Sequence, residues 1–215
     1  MPFTDPRVAE VFAQYAARHE HELDLARDLP RAEFGGRRDE FLLPVGPEVG
    51  EFLRALAVAR QPARILELGT SYGYSTLFLA DAARECGARV VTMDVDAAKQ
   101  AYAKAQLERA GLADYVEFRF GDAVESVAAD PGPWEFVLLD IWKNMYLPCF
   151  EALYPKLAEE AIIASDNMIY PESARDAVHA LRAAVNAKPD LQTVLLPIGS
   201  GIELTVKWSA GNAKL

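Results

Sequence analysis

The stretch "FVLLDIWKNMY", Phe136 to Tyr146, runs apolar as far as Asp140 and then places Lys143 three residues on. A second acid, Asp166, stands beside Asn167 at the end of "AIIASDN". Two carboxylates and an amide oxygen are hard donors. If their strands are neighbours, they converge on one point and suit Mg²⁺, or a similar cation such as Mn²⁺ or Ca²⁺. A lysine beside that cation has its pKa lowered by like charge and can take a proton from a weakly acidic hydroxyl. Each acid also has a plainer reading as a helix cap or loop residue, and Lys143 as a surface lysine. Their coincidence is what points to chemistry.

A second group lies nearer the start. In "ELGTSYGYS", Glu67 to Ser75, Gly69 and Gly73 permit a tight turn and close approach of a ligand to the main chain. Asp94 follows at the end of "RVVTMD", where a carboxylate can accept two hydrogen bonds from ribose hydroxyls. The loop does not spell G-x-G-x-x-G and lacks the Lys-Ser/Thr of a P-loop, which counts against NAD and ATP.

The elements that must position these residues read as an alternation. "ARILELG", "RVVTMDVD", "DYVEFRFGD", "WEFVLLD" and "AIIASDN" are strand-like, and amphipathic segments follow each of them. Those segments are "YSTLFLADAARECG", "AAKQAYAKAQLERAG", Val124 to Ala129, "LPCFEALYPKLAE" and "ESARDAVHALRAAVNAK". "LQTVLLPIGSGIELTVKW" reads as two strands joined at "PIGSG". Five strands alternating with helices, then a hairpin, predict an α/β, Rossmann-like three-layer sandwich around a mostly parallel seven-stranded sheet with an antiparallel terminal hairpin. Upstream, helices are expected over Pro6 to Arg27 and Glu48 to Ala59, with a loop over "DLPRAEFGGRRDEFLLPVGP". Residues 1–43 are expected to be an appendage to a single domain spanning 1–215, either a substrate lid or a dimer contact.

Composition narrows the class. A net charge of −10 repels a phosphate backbone, so no nucleic-acid partner is expected. The first residues lack the basic and apolar regions of a signal peptide, and no apolar run is long enough to cross a bilayer. With two cysteines, Cys86 and Cys149, forming no disulfide or zinc pattern, a cytoplasmic location away from membranes is expected.

"ExGxxxGYS" with the later acid resembles motif I of class I S-adenosylmethionine-dependent methyltransferases, and "GDA", Gly121 to Ala123, fits the same family. "LDIWKNMYLP" closely resembles the catechol O-methyltransferase segment, and "PVGPEVGEFLRAL" the helix before motif I in catechol and caffeoyl-CoA-type, cation-dependent O-methyltransferases. The likeness runs from about Pro44 to Val206. It implies an O-methyltransferase acting on a hydroxyl of a catechol-type small aromatic, with S-adenosylmethionine as cofactor. Carried over by position, Asp140, Asp166 and Asn167 would ligate the metal and Lys143 would be the base. Val45, Glu67, Gly69, Thr70, Tyr74, Ser75, Asp94, Val95, Asp122, Ala123, Asp140 and Trp142 would hold the cofactor. For Trp142 a packing role stands as the alternative. The resemblance also implies a homodimer, with the first helix as candidate face.

One departure concerns a late-strand glutamate that holds the second hydroxyl in the catechol enzyme. The matching stretch here carries Val194, and Glu203 lies on the hairpin's other strand. Arg37 and Arg38 could meet an anionic tail such as a carboxylate or coenzyme A phosphate, or stay solvated. The rival readings are a nucleotide-dependent dehydrogenase, a non-catalytic S-adenosylmethionine-binding module and a metal-independent methyltransferase.

Overall fold

A computed structural model describes residues 3–209, so the first two and last six residues of the expected 1–215 domain lie outside the described residues. The strands are β1 (Arg64–Leu68), β2 (Arg89–Asp94), β3 (Val116–Phe120), β4 (Trp134–Leu139), β5 (Leu157–Ser165), β6 (Leu191–Leu196) and β7 (Ile202–Lys207). They form one sheet in the order β3-β2-β1-β4-β5-β7-β6. The first five are parallel, and β7 runs antiparallel between β5 and β6.

The period of two along each strand explains the layers. Ile65, Val90, Phe136, Leu138 and Ala164 face one apolar cluster, whereas Leu66, Val91, Val137, Leu139 and Ile163 face another. The first cluster is completed by α1 (Pro6–Asp28), α3 (Pro47–Arg60), α4 (Tyr74–Cys86) and α5 (Ala97–Ala110). The second is completed by α6 (Ala123–Ala129), α7 (Tyr146–Leu153) and α8 (Arg175–Asn186). Each large apolar side chain buried this way stabilises the fold by about 1.5–3 kcal/mol.

Helix α1 joins the first layer. Asp5 caps it by accepting from the Arg7 amide at 2.9 Å, and Pro6 sets the first helical φ. Val8, Val11 and Tyr15 share the buried stripe. Arg84 of α4 donates to Asp5 at 2.7 Å, tying the start of α1 to that helix.

Two boundaries differ from expectation. The predicted loop after α1 contains α2 (Arg31–Arg37) and a 3₁₀ turn, Arg38–Glu40. Gly35 and Gly36 do not break this helix, and Glu33 pairs with Arg37 one turn on at 3.7 Å. The helix expected to reach Glu159 ends at Leu153, and β5 starts at Leu157 rather than Ala161. Pro155 cannot donate to a continuing helix, and Leu157 is buried opposite Trp134. Among the described residues, no helix is long and apolar enough to cross a membrane.

Candidate active site

The strand order reverses between β1 and β4, and ligands of open parallel sheets bind outside the carboxyl ends at such a point. A cleft of about 590 Å³ opens there, within the roughly 300–1,000 Å³ of small-molecule sites. Gly69, Asp94, Val95, Asp122, Ala123, Asp140, Trp142, Lys143 and Asn167 all line it. Val45, Thr70, Tyr74 and Ser75 line a smaller adjoining recess that shares Gly69 and Asp140 with the cleft.

Gly69 has φ of 103°, and a Cβ there would collide with the carbonyl oxygen of Asp140. The glycine turn after β1 therefore lies directly against the start of the Asp140–Lys143 segment. The turn is pinned from β2 as well. Asp94 accepts from the Ser71 amide at 2.7 Å and the Asp96 amide at 2.9 Å. Asp122 caps α6 by accepting from the Glu125 amide at 3.0 Å. Both acids thus serve the local fold while facing the cleft.

Glu67 stands apart from the cleft wall. Its carboxylate is fully buried beneath the turn and accepts from Ser75, Thr76 and Thr92 hydroxyls, each at 2.6 Å. Burial pushes it up to about 7 against the effect of those three donors. It knits β1 to α4 and β2.

Lys143 lies 3.5 Å from Asp140 and donates to the Ile141 carbonyl at 3.1 Å and to the Tyr146 hydroxyl. Burial holds its ammonium below the usual lysine range, and the charges of Asp140 and Asp166 oppose that shift. Asp166 is buried, does not line the cleft directly, and is pushed up to about 7 by burial and by the nearby Asp140 charge. Its Oδ1 is buried without a hydrogen-bond partner among the described residues. Asn167 turns the chain with φ of 55° and faces the cleft. Among the described residues, no three His, Cys, Asp or Glu side chains cluster as a metal site. The candidate set is two acids and an amide.

Tyr146 was not singled out in the sequence, and the structure places it against Lys143. Its buried hydroxyl receives Lys143 and donates to the Asp166 carbonyl at 2.6 Å, joining the loop after β4 to that after β5. The available signal was its i+3 spacing from Lys143, which puts both on one face of a helical turn. Phe41, Leu43, Met145 and Pro171 supply apolar wall. Val194 is exposed, and Glu203 is buried, accepting from the Thr193 hydroxyl at 2.8 Å beside Arg182 at 3.2 Å. Neither lines the cleft.

A family model described as O-methyltransferase matches residues 31–208. A catechol O-methyltransferase of Niastella koreensis is 34% identical over 131 residues, 59% of this chain and 59% of that protein. A caffeoyl-CoA O-methyltransferase 1 of Arabidopsis thaliana is 27% identical over 184 residues, 76% of this chain and 71% of its own length. The chain spans about three fifths of the length of the catechol O-methyltransferases it matches. The solved O-methyltransferase from Bacillus cereus in complex with SAH is 26% identical, with TM-score 0.73, over 95% of this chain and 92% of that chain.

Proposed function

Because the chain belongs to the O-methyltransferase family, we propose that it transfers a methyl group from S-adenosylmethionine to a hydroxyl of a catechol-type small aromatic, with a divalent cation at the same site. The observation that carries this reading is Lys143 standing 3.5 Å from Asp140 and linked through the Tyr146 hydroxyl to Asp166, whose Oδ1 is buried and, among the described residues, unpartnered. The orphaned oxygen fits a cation, because a buried carboxylate oxygen left unpaired costs stability that a hard metal would recover.

Asp140, Asp166 and Asn167 would hold Mg²⁺, Mn²⁺ or Ca²⁺. When bound, such a cation acidifies a hydroxyl facing it. S-adenosylmethionine, when bound, supplies an electrophilic sulfonium methyl. Asp94 would accept from its ribose hydroxyls, Val95, Ala123 and Trp142 would bound its adenine, and Gly69 would let the backbone come close to it.

Lys143 takes the proton from the acceptor hydroxyl at Nζ. An amine must be neutral to do this, and burial favours the neutral form. The Ile141 carbonyl and the Tyr146 hydroxyl fix where Nζ stands. Phe41, Leu43 and Met145 add apolar wall to the same cleft. Holding acceptor and donor in line then supplies much of the acceleration.

The test is transfer of labelled methyl from S-adenosylmethionine to caffeate, caffeoyl-CoA, protocatechuate and a flavonoid catechol, with Mg²⁺ and with EDTA. Turnover is expected to need the cation, and Lys143→Ala should lower kcat by about 10²- to 10⁴-fold. A Lys143→Ala enzyme running at near-full rate would remove the base, and a silent catechol panel would remove the reaction.

A further inference from the structure

Among the described residues, every charged side chain on the cleft wall except one has a partner in the fold. Of the acids, Asp39 pairs with Lys99, and Asp94 holds two loop amides. Asp96 caps α5, Asp122 caps α6 and Asp140 faces Lys143. Of the three basic side chains on the wall, Lys99 and Lys143 are thereby taken. Arg38 is the exception: among the described residues, no carboxylate lies within ion-pair distance of it. Its neighbour Arg37 turns elsewhere, to Glu40 at 3.0 Å and Glu33 at 3.7 Å.

Arg38 is half-buried and its surroundings are anchored. The Glu40 carbonyl accepts from the Tyr72 hydroxyl at 3.1 Å and from Arg18 at 3.4 Å. Glu22 of α1 accepts from the Leu42 amide at 2.6 Å, and Lys99 of α5 holds Asp39. Thus α1, α5 and the glycine turn all fix the short segment that carries Arg38. Arg38 lines the same cleft as Asp140, Lys143 and Asn167.

We propose that Arg38 binds a carboxylate on the methyl acceptor, which makes the site selective for acidic catechols over their neutral counterparts. This rests on the reaction proposed above. A guanidinium presents a planar fork of N–H donors that a carboxylate matches with two parallel hydrogen bonds, and partial burial strengthens them. One unpaired cation suits a monoanion. The several phosphate charges of a coenzyme A thioester call for more positive charge than this wall leaves unpaired.

The decisive comparison is caffeate against methyl caffeate and caffeoyl-CoA, with S-adenosylmethionine and Mg²⁺, in wild type, Arg38→Gln and Arg38→Lys. Wild type should prefer caffeate. Arg38→Gln should raise KM for caffeate about ten-fold more than KM for the ester, the value of one charge-assisted hydrogen bond. Arg38→Lys should retain part of the preference, because the charge survives while the fork is lost. Equal KM changes for acid and ester would overturn the carboxylate site. A larger loss for caffeoyl-CoA than for caffeate would reassign Arg38 to phosphate and overturn it too. Calorimetric titration of protocatechuate, with SAH and Mg²⁺ present, reads binding without turnover. Weaker binding to Arg38→Gln with no methyl transfer would leave the carboxylate site standing and remove the reaction; equal binding would remove the site.

Discussion

Replacing Glu67 with glutamine removes a titratable group from a fully buried position beneath the glycine turn. The wild-type carboxyl is fully buried, meets three hydroxyl donors and, among the described residues, has no cationic partner. Burial raises it from 4.5 to about 7, so the folded protein keeps a proton that the unfolded chain has released. The sign follows from linkage: between those two values the native state binds more protons, so stability falls as pH rises through the window. The full interval corresponds to about 3 kcal/mol, present below pH 4.5 and lost above pH 7. Glutamine does not ionise, so Glu67→Gln should lack this component. Urea denaturation without added metal, at several pH values from 5 to 8, reads the difference between variant and wild type. Taking the difference cancels the same-signed contribution of Asp166, which both proteins share. The variant should gain on wild type by about 2.5 kcal/mol between pH 5 and pH 8, starting within about 1 kcal/mol of it at the acid end. A difference that stays flat with pH would show that Glu67 does not titrate in this window, and the account of its burial would be wrong.

Tyr146→Phe should cost about 1–3 kcal/mol of stability, because the buried Asp166 carbonyl loses its donor. It should also lower kcat more than it raises KM, since Lys143 loses an anchor; unchanged kcat would deny Tyr146 a positioning role. Saturating Mg²⁺, at about 100 times its Kd, should stabilise the protein by about 3 kcal/mol in thermal melts. EDTA should reverse that gain and Asp166→Asn should abolish most of it, whereas a metal-insensitive wild type would refute the cation site. Gly69→Ala should destabilise by about 2–5 kcal/mol, combining strain at positive φ with overpacking against the Asp140 carbonyl. Chemical denaturation checks this, and a loss below 1 kcal/mol would mean that the two loops separate easily.

What the sequence determined by itself was whatever depends on neighbours along the chain. The short apolar runs "RILEL" and "FVLL", the helical stripe through Val8, Val11 and Tyr15, and the turn signal at "PIGSG" are local, and the sheet with its terminal hairpin follows from them. That Asp94, Asp140, Lys143 and Asn167 gather on one cleft was legible because parallel strands deliver their carboxyl ends to one edge, so residues just past those ends must meet there. Partner choice was not legible. Nothing near Glu67 in the chain indicates that Thr92 of the neighbouring strand will meet it, or that it sits beneath the cleft rather than on its wall. The same holds for Glu203, drawn to Thr193 and Arg182 instead of the site, and for Arg37 and Arg38, adjacent residues with opposite fates. Those outcomes depend on which groups from distant segments arrive within hydrogen-bonding range and on how much water is excluded there. Only the packed tertiary structure decides both.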